Sequence, residues 1–314
     1  MHQGRDDHHR DAHDHHDSRR ASPLHRLFGA FVITVAFMFV EAAVGWWSHS
    51  LALMADAGHM LADAAALILA ILAQRIASQT RTRARTYGFR RAEVLAAFGN
   101  GIALALTAIW IFIESAARWQ SPQAIAGAAV TVTATIGLFV NMAAAILLGV
   151  GAHGQNLNTR GALAHVLTDA LGSVGAIAAG VVVLASGWNR ADPLISAAIG
   201  VLILWSGYGL VRDTSRVLME GTPFEVDVAH IEDTIRSVPG VVDFHDLHIW
   251  SISDGFDVLT AHVVVAGGFH GIEVVAAVTR RLRDVHGIEH STIQPEPPVG
   301  EQIVVLRRSA KAQI

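Results

Sequence analysis

Leu51-Ala52-Leu53-Met54-Ala55-Asp56-Ala57-Gly58-His59-Met60-Leu61-Ala62-Asp63 opens an apolar run that continues to Gln74. A second apolar run holds His165-Val166-Leu167-Thr168-Asp169. In each, a histidine and an aspartate stand one helical turn apart, about 6 Å of rise, so both side chains leave the same helix face. Runs of about 20 apolar residues match the roughly 30 Å of a bilayer's hydrocarbon core. An acid at that depth costs about 2.5–3.5 kcal/mol on insertion scales, so it rarely persists without a task. One such pair is explained by an intrahelical hydrogen bond, but two identical pairs are not. Facing each other, they offer two imidazole nitrogens and two carboxylate oxygens, a tetrahedral set suited to zinc or a similar divalent transition metal.

The rest of the chain agrees with a membrane setting. It is 52% hydrophobic, with mean hydropathy +0.41, and its apolar residues gather in long runs rather than stripes. Six spanning helices are expected, over about 27–47, 51–74, 93–117, 124–151, 161–187 and 193–211. The first is too long, and too interrupted by Glu41, for a cleavable signal peptide. The net charge of −4 is unevenly spread: Arg75, Arg81, Arg83, Arg85, Arg90 and Arg91 crowd the connection between the second and third spans. Arg19, Arg20 and Arg26 precede the first span, while Arg212 and Arg216 follow the sixth. The positive-inside rule then places both termini in the cytoplasm, as an even number of spans requires. Arginines spread over membrane margins do not form a nucleic-acid-binding face. The absence of cysteine excludes disulfides, thiolate metal sites and thiol nucleophiles.

Four segments are expected: a His/Asp-rich tail (1–23), a six-helix membrane domain (24–213), a soluble α+β domain (214–306) and a short C-terminal tail (307–314). In the soluble part, 227–238 reads as an amphipathic helix closed by Pro239-Gly240. Residues 241–253 and 256–265 read as strands joined by Asp254-Gly255, followed by a helix over 271–286 and a strand over 291–294. That order points to a small sheet with both helices on one face, a ferredoxin-like arrangement.

Ser50 to Asp63, Tyr87-Gly88-Phe89-Arg90-Arg91-Ala92-Glu93 and His245-Asp246-Leu247-His248-Ile249-Trp250 resemble the cation diffusion facilitator family, in its zinc-transporting branch. The resemblance implies a homodimer with cytoplasmic ferredoxin-like domains, and the Ala/Arg/Gly bias with no organelle signal points to a bacterial inner membrane. It also implies export of divalent metal in exchange for protons. It puts His59, Asp63, His165 and Asp169 on the transport site. His245, His262 and Glu296 fall on the family's regulatory metal site, with zinc as its ligand. Some members carry a further site in the connection between spans two and three, where Phe89 and arginines stand here, so no metal site is expected there.

Other polar residues need separate readings. Asp56 lies two turns before Asp63, either beside the metal ligands or on a proton path, or simply near the helix start. Glu41 and Asn141 read as interhelical hydrogen-bonding groups or as lining of a water-filled path. Regular strand alternation would send His245 and His248 to opposite faces; His286 and His290 are further histidines of the soluble part. His2, His8, His9, His13, His15 and His16 among acids can gather metal weakly. An intramembrane metalloprotease would need His-Glu-x-x-His, which is absent, so the chain does not read as an enzyme. A membrane-bound metal sensor without transport is the alternative, and it leaves the membrane cluster unexplained.

Overall fold

The computed structural model describes residues 23–147 and 157–298, with side chains described for 31–144, 146 and 169–298. Its first six helices are α1 (Pro23–Ser48), α2 (Leu51–Ala77), α3 (Ala92–Gln120), α4 (Gly127–Leu147), α5 (Leu157–Ser186) and α6 (Ala191–Leu218). All six contain windows long and apolar enough to cross a membrane. They are apolar beyond what a small bundle can bury: Phe39, Leu106, Ile146 and Trp205 lie exposed on their outer surfaces. Such all-round apolarity suits helices whose solvent is lipid.

Small residues set how closely these helices approach, as expected where lipid offers no hydrophobic drive for association. On α3 and α6, Gly101 and Gly207 meet backbone to backbone. A Cβ on Gly101 would lie 3.2 Å from the Gly207 carbonyl oxygen, and one on Gly207 would lie 3.1 Å from that of Gly101. The α4–α5 seam repeats the device, since a Cβ on Gly180 would meet Thr131 and the Gly127 carbonyl. The start of α2 is held differently. Ser50 caps it by accepting the Leu53 N–H, and buried Asp192 from the first turn of α6 accepts the Leu51 and Ala52 N–H groups at 2.7 and 3.3 Å. Those N–H groups lack helical partners, and a carboxylate there also complements the helix dipole.

The soluble part contains α7 (Val228–Arg236), β1 (Val241–Ser253), β2 (Phe256–Val265), α8 (Gly271–His286) and β3 (His290–Glu296). Asp227, expected inside the first helix, is instead its N-cap, accepting the Ala229 and His230 N–H groups. β3 extends past the expected 291–294 at both ends, because its pairing with β2 continues from His290 to Glu296. The strands lie in the order β1-β2-β3, with β1 antiparallel and β3 parallel to β2. The crossover through α8 makes the parallel pair possible. Ile231 and Ile235 of α7, Val278 and Leu282 of α8, and Leu259 and Val263 of β2 share one core. Both helices therefore cover one face of the sheet, as the ferredoxin-like reading requires.

β1 is not the regular strand expected. His245 stands opposite His262 and His248 opposite Thr260, so Asp246 and Leu247 together face only Ala261. Asp246 takes the left-handed conformation, φ 50°, and the strand carries a bulge. Residues 260 and 262 share a face of β2, so their partners His245 and His248 share one as well. This overturns the expected opposite facing of the two histidines.

The connection between α2 and α3 meets the soluble domain at the membrane margin. Arg91 bonds Glu220 at 2.9 Å, the Arg90 guanidinium lies 4.4 Å from the Phe256 ring centre, and Tyr87 stands edge-on to Phe256 and His290.

Candidate functional site

In the membrane bundle, α2 and α5 bring three of the four singled-out side chains together. His59 Nε2 lies 3.6 Å from Asp63 Oδ2 and 3.5 Å from Asp169 Oδ1. One ligand atom from each lies within 4.8 Å of the others, a spread that a single divalent ion can bridge with modest side-chain adjustment. His59 is buried and the two aspartates are half-buried. His165 belongs to α5 one turn before Asp169, and its side chain lies outside the described residues.

Around this cluster the bundle is unusually polar for its depth. Asp56, 2% exposed, accepts the Ser173 hydroxyl at 3.2 Å. It packs so tightly on α5 that a Cβ on Gly172 would lie 2.7 Å from its carboxylate. Asp56 is thus an interhelical group in the bundle interior. Glu41 is fully buried, and among the described residues its carboxylate has no hydrogen-bond partner. The interhelical hydrogen bond expected of it is therefore not found there. Asn141 of α4 is buried too.

A second cluster lies on the open face of the sheet. Glu296 reaches both rings across it, with its two oxygens 3.0 Å from His245 Nε2 and 2.9 Å from His262 Nδ1. The rings are 5.1 Å apart. Asp246, lifted out of the ladder by the bulge, brings a further oxygen to 3.6 Å from His245 Nδ1. The hydrogen bond with His245, helped by those from Gln294 and by the nearby His262, holds the Glu296 carboxyl below the ordinary carboxylate range. That keeps it ionised, the state in which a carboxylate binds metal. His248 shares the face but stands outside this cluster.

The other soluble histidines lie elsewhere. His290, at the opposite end of β3 from Glu296, touches Tyr87 and Phe256. His286 faces His230 between α7 and α8 and pairs with Thr234 Oγ1 at 2.8 Å. The histidine-rich tail before Pro23 lies outside the described residues. Three contacts were not anticipated: Asp192 at the start of α2, Ser173 on Asp56, and Glu220 on Arg91. None had a local signal: Asp192-Pro193 marks the start of a helix but not the neighbour its carboxylate reaches.

The cation efflux transmembrane domain profile matches residues 27–219, and the cation efflux protein cytoplasmic domain profile matches 223–298. The chain is 40% identical over 274 residues to the cadmium, cobalt and zinc/H(+)-K(+) antiporter of Bacillus subtilis (strain 168), covering 86% of this chain and 88% of that one. It is 40% identical over 272 residues to the zinc transporter ZitB of Escherichia coli (strain K12), covering 86% and 87%. Against the metal cation efflux system protein CzcD of Cupriavidus metallidurans, identity is 38% over 292 residues, covering 93% and 91%. A solved structure, the metal-bound C-terminal domain of the CzcD transporter from Cuprividus metallidurans, is 43% identical, covers 23% of this chain and 99% of its own, and has a TM-score of 0.22.

Proposed function

This chain belongs to the cation efflux family, and we propose that it carries a divalent transition metal, zinc foremost, out of the cytoplasm in exchange for protons. The observation that carries this reading is the cluster of His59, Asp63 and Asp169 inside six spanning helices. The proposed transport site takes His165 as its fourth ligand. Two nitrogens and two oxygens favour zinc, cadmium or cobalt over magnesium and calcium, which prefer oxygen alone. The names of the relatives, which include zinc transporters and an antiporter of cadmium, cobalt and zinc, support that class of cargo.

Proton exchange follows from the donor set. Metal binding needs neutral histidine and ionised aspartate, so loading displaces protons and protonation releases the metal. Alternating access turns this competition into transport, provided one state opens to the cytoplasm and the other to a more acidic exterior. Asp56 and Glu41, buried beside the path, are the proposed stops for those protons, with Asn141 lining it.

We divide the chain into a tail to 23, a membrane domain to 213, a soluble domain to 306 and a final tail. The arginine distribution supports cytoplasmic termini in the plasma membrane. The cytoplasmic-domain match supports a homodimer, and His245, His262 and Glu296 form its proposed regulatory zinc site. Zinc there would fasten the two soluble domains and shift the membrane halves, so zinc should change the separation between labels on the two domains. A sensor that binds metal without moving it is not favoured, because it gives the membrane cluster no task.

The test is zinc flux into liposomes holding a zinc-sensitive dye under an imposed proton gradient. The native chain is expected to move zinc with the gradient, and Asp169→Ala to lose it at least a hundredfold. Zinc binding without flux in the native chain would overturn the transport reading.

A further inference from the structure

Residues 75–91 hold Arg75, Arg81, Arg83, Arg85, Arg90 and Arg91, with no acid among them. The run starts in the last turn of α2 and ends where α3 begins. It is a built structure rather than a loose loop. Thr82 and Arg85 exchange backbone hydrogen bonds at 3.2 and 3.0 Å, with Arg83 in the turn between them. Three arginines are committed locally: Arg85 over the Phe89 ring, Arg90 over Phe256, and Arg91 to Glu220. Arg75, Arg81 and Arg83 are exposed, and among the described residues they make no ion pair. Between the turn and the soluble domain opens a cavity of about 540 Å³ lined by Arg85, Tyr87, Arg90, Arg91, Leu95 and Trp250.

We propose that this arginine turn and its cavity bind the phosphate headgroups of anionic phospholipids in the adjoining leaflet. Guanidinium groups match phosphate oxygens in paired hydrogen bonds. Arginines just beyond a spanning helix each strengthen attraction to an anionic surface by about fivefold. The cavity lining combines Arg85 and Arg90 with Tyr87, Trp250 and Leu95, the mixture suited to a headgroup and the start of its acyl chains, while Glu220, which also lines it, is taken up by Arg91. A free acidic peptide or nucleic acid would have to reach a face already set at the bilayer margin, where headgroups are the nearest anions. This site is separate from the transport reading, and its test does not depend on flux.

The full chain is placed in nanodiscs of phosphatidylcholine with about one part in ten phosphatidylglycerol, released into detergent, and its retained lipids counted by native mass spectrometry. Phosphatidylglycerol is expected at several times its bilayer share, weakening as salt rises. Arg81→Gln/Arg83→Gln/Arg85→Gln should return retention to that share while zinc binding persists. If that variant fails to fold, Arg81→Gln/Arg83→Gln, which keeps Arg85 over Phe89, should lower it at least twofold towards that share. Retention at the bilayer share in the native chain, or undiminished retention in the folded variant, would overturn the proposal. Displacement by millimolar inorganic phosphate would overturn it too, by making a free anion the ligand.

Discussion

The Ser50 hydroxyl donates to Asp192 Oδ1 across 2.6 Å, joining the first residue before α2 to the first turn of α6. With the Leu51 and Ala52 N–H groups on the same carboxylate, Asp192 satisfies three buried donors at once. It fastens the helix carrying His59 and Asp63 to the neighbour that packs on α3.

Asp192→Ala is expected to cost on the order of 3 kcal/mol, since each buried donor left without a partner costs about 1–3 kcal/mol and water can recover only part of this. Asp192→Asn, which keeps one acceptor, should cost less. Thermal unfolding of the detergent-solubilised chain measures both, and an unchanged midpoint in the alanine variant would refute the role given to this carboxylate.

The cluster on the open sheet face predicts a difference in metal count. Glu296→Gln or His262→Ala should lower bound zinc by one equivalent per chain in equilibrium dialysis and leave transport measurable. A native zinc count in both variants would remove the cluster from the list of metal sites.

What the sequence made legible was local. Apolar runs long enough for a bilayer marked the helices, and the four-residue His/Asp spacing survived in α2 and α5 because helical geometry is regular. The hairpin at Asp254-Gly255 announced itself by its turn residues. Non-local features were hidden. The bulge at Asp246 depends on how β1 registers with β2, and period-two alternation gives no sign of it. Asp192 meets Ser50 from 142 positions away, and Ser173 meets Asp56 from 117. Glu41 and Asp56 could be recognised as polar within apolar runs, but their surroundings come only from helix packing.

Arg91 and Glu220 form an exposed pair, worth about 0.2–1 kcal/mol in stability. Its effect should therefore appear in coupling between the domains rather than in folding. Glu220→Arg is expected to slow zinc flux severalfold with little change in unfolding midpoint, and Arg91→Glu/Glu220→Arg to restore it. Failure of the charge swap to recover flux would argue that the contact only fills space.

The α7–α8 seam should respond to pH. Thr234 donates its hydroxyl hydrogen to the His230 carbonyl, so it accepts from His286 Nε2–H. Burial, and then the neighbouring His230, push His286 below its ordinary 6.5. Below 6.5 the unfolded chain takes up the proton first, so stability is full above that value and is lost as pH falls towards the depressed one. Hydrogen exchange of α7 and α8 amides, corrected for intrinsic rates, should show this loss in the native chain and a flatter profile in His286→Gln. Equal slopes would assign the pH response to other groups.

Among the described residues the three-stranded sheet has two open edges, and both are poor templates for another strand. β1 is bent out of regular pairing at Asp246 and again between Ser251 and Ser253. β3 carries Pro295, and Pro297 and Pro298 follow it, each without an N–H to offer. Bulges and prolines are the features by which exposed edges resist strand addition. Two copies of this domain therefore have poor edges for merging their sheets into one continuous ladder. Copies that meet instead through faces and side chains would be free to tilt against each other without breaking a single backbone hydrogen bond.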